Sequence, residues 1–155
     1  MLTIRTATPA DLPELVELWH EQRLLRAQSD RRFQPTPNAR AEWSAQAQSW
    51  IADANCGWFV AEHAHRPVGH IIGWLQPAPP GVSTASFGAI TDIAIDLHGY
   101  HGGVGRGLVD ALRAWFAEHK VQQVIVWVPR RQAVEQAFWR SLGATAWMDI
   151  LWIKS

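Results

Sequence analysis

The sequence predicts a single α/β domain over residues 1–155, in which helices pack against a central β-sheet. Apolar segments with the pattern of strands alternate along the chain with segments in which apolar residues recur at helical spacing. A length of 155 residues suits one domain, and 48% hydrophobic with 18% charged residues is typical of a globular protein with a sizeable core. The sequence contains no internal repeat and no low-complexity tail.

The first third of the chain predicts one strand and two helices. Residues 2–6 form a short strand, and Thr8–Asp11 has the features of a helix start, with proline at the first helical position. Apolar residues at helical spacing extend this helix to about residue 27, and these are Leu12, Leu15, Val16 and Trp19. After a loop with two prolines at residues 29–38, a second helix is marked by Trp43, Ala47, Trp50 and Ile51.

The middle of the chain predicts three strands and one helix. Residues 57–62 and 68–75 are expected to form strands joined by a turn, and so a hairpin. Prolines and Gly81 then break the chain. A third strand covers residues 87–96, and a helix covers residues 105–119.

The last part of the chain predicts a strand, a helix and a final strand. Val124–Val128 is apolar throughout, which favours an interior strand covered on both faces. The next helix contains Ala133, Val134, Ala137, Phe138 and Leu142 and ends at Gly143. Residues 147–153 predict the final strand, so the element order is β-α-α-β-β-β-α-β-α-β.

Charge and cysteine content limit the partners that we expect. Lys plus Arg and Asp plus Glu are equal at 14 each, so no excess charge favours nucleic acid or an anionic membrane. No segment approaches roughly 18 uninterrupted apolar residues, and no signal peptide is visible, so we expect a cytoplasmic protein. The single cysteine, Cys56, excludes an intramolecular disulfide and a cysteine metal cluster, and we expect no metal.

The most informative segment is the glycine-rich turn at residues 99–107, which has five glycines in nine residues. It lies between a predicted strand and a predicted helix, where backbone amides and the helix dipole favour a phosphate group. Gly102 and Gly103 leave room for a pyrophosphate to approach. The turn is neither a Walker A motif nor a dinucleotide fingerprint, because Leu108 occupies the third glycine position of the latter. The alternative is a tight strand-to-helix turn without a ligand.

Two blocks of the sequence resemble the GNAT-type N-acetyltransferase superfamily. Residues 95–109 are similar to the acetyl-CoA loop of that family, and Phe138–Ala144 is similar to its aromatic pair and helix end. The resemblance implies a mixed, mostly antiparallel sheet flanked by helices. Three positions depart from the family pattern: Tyr100 replaces Gln or Arg, Trp139 replaces a tyrosine that often acts as general acid, and Gln132 replaces an asparagine.

The resemblance also implies a set of cofactor-binding residues for acetyl-CoA. The turn would bind the pyrophosphate through the backbone of Tyr100, His101, Gly102, Gly103, Val104, Gly105, Arg106 and Gly107. The edge of strand 87–96 would pair with pantetheine and polarise the thioester at Ile93, Ala94 and Ile95. The second block would add Gln132, Phe138 and Trp139. Such a site would require a V-shaped gap between strands 87–96 and 121–128.

The implied reaction is direct transfer of an acetyl group from acetyl-CoA to a primary amine of a small molecule or a peptide. The amine must lose a proton, and Asp92 is the predicted general base because it lies on the strand that would flank the thioester. Glu62 is the second candidate, and His98 is expected to be a surface residue. Trp139 cannot donate a proton as an acid, and Cys56 is expected to be packed and unreactive.

Two alternatives to this enzyme stay open from the sequence. One is a non-catalytic CoA-binding or regulatory module of the same fold, which the departures at Tyr100 and Trp139 favour. The other is an interaction protein without a cofactor, in which some of the 10 tryptophans form an oligomer interface. Trp147 and Trp152 on the predicted last strand make a homodimer compatible with any of these functions.

Overall fold

The structure, a computed structural model, describes residues 1–82, 86–99 and 102–155. Within these residues the strands are β1 (Leu2–Thr6), β2 (Cys56–His63), β3 (Arg66–Pro77), β4 (Ser86–Ile95) and β5 (Val124–Val126). The helices are α1 (Leu12–Ser29), α2 (Ala39–Ile51), α3 (Val104–Glu118) and α4 (Ala133–Ser141). Short 3-10 turns precede α1 and α2, at Pro9–Asp11 and Arg31–Phe33.

The five strands form one sheet in the order β1-β2-β3-β4-β5. The pairs from β1 to β4 are antiparallel, and β5 runs parallel to β4. The predicted hairpin is confirmed: β2 and β3 are joined through Ala64 and His65, which both have positive φ, as two-residue hairpin turns require. The predicted mixed, mostly antiparallel sheet is therefore also confirmed.

Helices cover both faces of this sheet. On one face, α3 packs through fully buried side chains, which are Val104, Leu108, Leu112 and Phe116. Close approach requires glycine in the strands below, since a Cβ on Gly88 would lie 2.6 Å from the ring of Phe116. On the other face, α1 and α2 bury Leu15, Val16, Trp43 and Ala47 against Trp58, Val60 and Ile72. The side-chain alternation of the strands thus separates two hydrophobic clusters.

The start of α1 is fixed by a charged network with β1 and β2. The Asp11 carboxylate accepts hydrogen bonds from both terminal nitrogens of Arg5, at 2.8 and 2.7 Å. It also accepts one from the backbone N–H of Thr8 at 2.7 Å, which completes the predicted capping arrangement. Arg5 donates through Nε to Glu62 at 2.9 Å. These contacts lower the pKa of Asp11 to about 2, chiefly through the Arg5 hydrogen bonds.

Two predictions about the end of the sheet are wrong. Residues 147–153 form no strand, and Trp147 is 73% exposed, because the period-2 pattern does not by itself supply a pairing partner. Trp152 instead packs against Arg32, whose guanidinium lies 4.3 Å from the ring centroid. Without that last strand, β5 lies at the edge of the sheet rather than in its interior, and Val124 is 38% exposed.

The helix that follows β5 ends as predicted. Leu142 is the C-cap residue of α4, and Gly143 after it has φ +90°, the left-handed conformation that favours glycine at this position. Among the described residues, none of the helices has the length and apolar character needed to cross a membrane.

Candidate active site

β4 carries an irregularity in the middle of the sheet. Ile72 pairs with Asp92 and Gly73 pairs with Ile90, so Thr91 has no opposite residue and forms a β-bulge. The parallel ladder to β5 ends at the same level, with Ile90 opposite Val126, whereas β4 continues to Ile95. From residue 91 onward, the described residues supply no strand partner on the β5 side of β4. This open edge agrees with the gap expected beside Ile93, Ala94 and Ile95.

Asp92 follows the bulge and faces the side of the sheet covered by α1 and α2. It borders a cavity of about 430 Å³, which is lined by Trp19, Arg23, Trp43, Trp50, Ile72, Trp74, Thr91 and Asp92. The Asp92 side chain is only 12% exposed, and Arg23 lies 3.5 Å from its Oδ2 atom. Burial raises the pKa of Asp92, while the positive charges of Arg23 and Arg26 partly oppose this increase.

A second cavity of about 350 Å³ adjoins the first and shares Trp19, Arg23 and Trp43 with it. It extends along α2 and the 3-10 turn before α2, where its lining includes Phe33, Thr36 and Glu42. The two cavities together form a cleft between the helices and the open half of β4.

The glycine-rich turn leads into an uncapped helix. Gly103 has φ +78°, and no atom lies within 4 Å of the position that a Cβ would occupy. Among the described side chains none caps α3, and its first hydrogen bond runs from Gly107 N–H to the carbonyl of Gly103 at 2.9 Å. The first-turn amides of Val104, Gly105 and Arg106 therefore lie outside the helical ladder. Free amides and open space fit a phosphate group; Tyr100 and His101 lie outside the described residues, and Gly102 is exposed.

Another glycine of the turn serves packing. A Cβ on Gly105 would lie 3.0 Å from the Phe138 ring and 3.1 Å from Ile95, so this glycine brings α3 close to α4 and β4. A Cβ on Gly107 would lie 3.4 Å from Ile4, which is an ordinary contact distance, so packing does not require glycine there. Gly105 therefore fits a tight turn without a ligand, whereas Gly103 has open space at its Cβ position.

The residues at the start of α4 and in the second block are engaged in contacts within the protein. Gln132 donates to Ser29 Oγ at 2.6 Å, and Glu135 pairs with Arg26 at 3.1 Å, which ties the start of α4 to the end of α1. Trp139, 5% exposed, lies in the core cluster on the α3 side. A contact between Trp139 and a cofactor stays a prediction, and its burial argues against it.

The remaining candidates lie outside the cleft. Glu62 is held by Arg5 in the network with Asp11. His98 is 80% exposed and lies 2.8 Å from Glu21. Burial raises the pKa of the Cys56 thiol to about 12, which leaves it protonated and unreactive at neutral pH. Within the described ranges, no three His, Cys, Asp or Glu side chains are grouped so that they could hold a metal ion.

Sequence reasoning missed most of the cleft. Four indoles and Arg23 line it, and the sequence predicts those tryptophans only as helix or strand residues, without a role in a site. Two signals were available: 10 tryptophans against one tyrosine, and Trp19 with Arg23 four residues apart on a helix. Neither signal indicates that tryptophans from three separate elements converge on Asp92.

The five-stranded sheet with helices on both faces matches the fold of solved acetyltransferases. An aminoglycoside acetyltransferase from an uncultured soil metagenomic sample, solved with trehalose, matches with a TM-score of 0.72 and 23% identity over 99% of this chain and 95% of that one. An aminoglycoside antibiotic 6'-N-acetyltransferase from Acinetobacter baumannii matches with a TM-score of 0.77 and 13% identity, over 100% of this chain and 98% of that one. The tetramutant of the BH1408 protein from Bacillus halodurans matches with a TM-score of 0.83 and 18% identity, over 99% of both chains.

At these identities the structural matches establish the fold alone, and the sequence identifies the family. Residues 14–144 match the Acetyltransferase (GNAT) family, and the chain belongs to this family. The matched range includes Asp92, the glycine-rich turn and α4. The resemblance drawn from residues 95–109 and 138–144 is thereby confirmed. Among curated proteins, no sequence match was found.

Proposed function

We propose that this chain is an acetyl-CoA-dependent N-acetyltransferase that transfers an acetyl group directly to a primary amine. The observation that carries the proposal is the position of Asp92. Its buried carboxylate borders a cavity of about 430 Å³ at the level where β4 loses its partner β5. An acceptor in the cavity and a thioester along the open edge would meet beside this group.

The residues around the gap fit an acetyl-CoA molecule, which supplies an activated acetyl group as a thioester. The backbone from Gly102 to Gly107 would hold the pyrophosphate at the uncapped start of α3. The unpaired edge at Ile93, Ala94 and Ile95 would hold pantetheine as a neighbouring strand would, with backbone N–H groups near the carbonyl. Arg106 is exposed and adds positive charge at the same end of the helix.

The proton chemistry depends on Asp92. A primary ammonium resembles lysine, with a pKa near 10.4, so it must lose a proton before the nitrogen attacks. A carboxylate with a raised pKa is a stronger base than an ordinary aspartate. The pKa difference between the base and the ammonium is therefore smaller. The nitrogen forms a C–N bond as the C–S bond breaks, and sulfur leaves with the electron pair. A thiolate with a pKa near 8.5 leaves without an acid, which is consistent with a buried Trp139.

A non-catalytic CoA-binding module remains the second candidate. It is favoured by the indole of Trp139 at the position of the family's general acid and by the Arg23 contact with Asp92. Both candidates would bind CoA, and only the enzyme would transfer an acetyl group.

Calorimetry with acetyl-CoA and thiol release with a panel of primary amines test both candidates. The enzyme proposal predicts saturable binding and thiol release with at least one amine. Binding without release across the panel would favour the module. Absence of binding at millimolar acetyl-CoA would contradict both.

A homodimer is a separate proposal. It is supported by the exposed apolar side chains of residues 147–153, since exposed patches of this kind commonly mark interfaces. Light scattering at low protein concentration tests it, and a monomeric mass at micromolar concentration would refute it.

A further inference from the structure

The cleft beside Asp92 is lined by an unusual number of indoles. Trp19 and Trp43 stack with centroids 5.3 Å apart and an interplanar angle of 20°. Trp50 stands nearly perpendicular to Trp43, at 6.0 Å and 85°, and to Trp74, at 6.3 Å and 89°. The indoles therefore form one contiguous aromatic wall of the cleft, against which an aromatic ring could pack.

The charged groups among the described lining residues of the cleft are few. Arg23 and Asp92 line the larger cavity, and they contact each other at 3.5 Å. The smaller cavity adds Arg32, which is paired with Asp30, and Glu42. A polycationic acceptor would meet two guanidinium groups and only two carboxylates. The cleft is therefore matched to an acceptor with a single positive charge and an apolar body.

We infer, on the basis of the N-acetyltransferase function proposed above, that the acceptor is an aromatic primary amine. Its ring contacts the indoles of the cleft, and its nitrogen lies at Asp92. This class differs from the aminoglycosides named for two of the structural neighbours. An aminoglycoside carries several amines, and the described lining of the cleft offers only the Asp92 and Glu42 carboxylates to pair with them.

Steady-state thiol release with acetyl-CoA and the full chain tests this inference. The amines are phenethylamine, tryptamine, 2-cyclohexylethylamine as a non-aromatic control of similar shape, spermidine and kanamycin. We expect kcat/KM for phenethylamine to exceed that for 2-cyclohexylethylamine severalfold and that for either polycation by roughly a hundredfold. A preference for spermidine or kanamycin would overturn the inference and leave the N-acetyltransferase function intact.

Variants then distinguish a loss of binding in the cleft from a general loss of stability. Trp50→Leu and Trp74→Leu each raise KM for phenethylamine roughly tenfold, since one aromatic contact is worth about that factor. The matched control is Trp147→Leu, which changes an exposed indole outside the cleft and leaves KM unchanged. Acetyl-CoA affinity measured by calorimetry reports folding in each variant. An unchanged KM in both cleft variants would overturn the inference.

Direct binding distinguishes this inference from the proposed reaction. Calorimetry of phenethylamine with the wild-type chain and with Trp74→Leu needs no turnover. If no amine in any panel releases thiol, the N-acetyltransferase proposal fails, and binding of phenethylamine that weakens in Trp74→Leu still supports an aromatic amine site. If phenethylamine does not bind at millimolar concentration, the inference fails whatever the enzyme does.

Discussion

Replacement of Arg23 by glutamine gives a test of Asp92 as the general base. The guanidinium lies 3.5 Å from the Asp92 carboxylate and lowers its pKa against the effect of burial. Glutamine keeps a hydrogen-bond donor and removes the charge. The pKa of Asp92 should therefore rise in Arg23→Gln, while the shape of the cleft changes little.

The size of this rise follows from the geometry. At 3.5 Å and an effective dielectric constant of about 20, two unit charges interact by about 4–5 kcal/mol, which is an upper bound. Arg26 still acts on Asp92, and solvent reaches the 25% exposed Arg23 side chain. The loss of Arg23 therefore raises the pKa of Asp92 by only part of this bound.

The assay is the pH dependence of kcat/KM for one amine, which reports groups of the free enzyme and free substrate. A general base acts when deprotonated, so the rate rises with pH through the pKa of Asp92. The acidic limb should move to higher pH in Arg23→Gln, because the pKa of Asp92 rises when the positive charge is removed. Asp92→Asn should lower kcat/KM by about 10²–10⁴-fold and leave acetyl-CoA affinity unchanged.

The matched control is Arg40→Gln, which removes an exposed pair between α2 and Glu17 of α1. Its acidic limb should coincide with that of the wild type. An acidic limb that stays in place in Arg23→Gln would show that a group other than Asp92 titrates. Wild-type activity in Asp92→Asn would remove Asp92 from the reaction altogether.

Three further predictions concern stability and reactivity. Gly88→Ala should lower the free energy of unfolding in urea by about 1–3 kcal/mol, because its Cβ would lie 2.6 Å from Phe116. Gly107→Ala should raise the free energy of unfolding by up to about 1 kcal/mol, because its Cβ would lie 3.4 Å from its neighbour. A Gly107→Ala variant less stable than Gly88→Ala would contradict this packing. Asp11 has a pKa lowered from 3.8 to about 2, so Asp11→Asn should lower the free energy of unfolding by about 2 kcal/mol at neutral pH. The wild type should lose this extra stability as pH falls from about 4 to about 2. A stability difference between the two proteins that does not change with pH would refute this prediction. Cys56 should resist iodoacetamide at pH 8 in the native state and react after unfolding, since its thiol pKa is about 12; rapid native labelling would be inconsistent with its burial.

Local patterns predicted most elements because each pattern is set by burial within one segment. The helices α1 to α4 and strands β1 to β4 follow from apolar spacing and end signals close to their observed bounds. Residues 147–153 have the alternation of a strand, but strand formation depends on an edge elsewhere in the chain, which the pattern does not contain. The same limit explains β5, whose apolar residues 124–128 indicate burial without indicating how many neighbours the strand has.

Part of the candidate site also follows from local patterns, and part depends on contacts between distant segments. The place of Asp92 on strand β4 and the turn before α3 were predictable, because a local pattern sets each of them. The bulge at Thr91 was not, because it results from a register shift against β3 between Ile72 and Gly73. The aromatic cleft was not predictable either, since its indoles come from α1, α2 and β3 and meet only in the folded chain.

The two buried aspartates of this fold provide the strongest physical argument for the site. Asp11 accepts four hydrogen bonds of 2.7–2.9 Å from Arg5 and Thr8, and its pKa falls. Asp92 is similarly buried, but its ion-pair contact in the described part of the chain is Arg23 at 3.5 Å, and its pKa rises. A carboxylate that only stabilised the fold would be expected to have the surroundings of Asp11, because an undersatisfied buried charge is costly. The cost at Asp92 is explained if a protonated amine completes its surroundings during the reaction, since perturbed groups in clefts commonly mark functional sites.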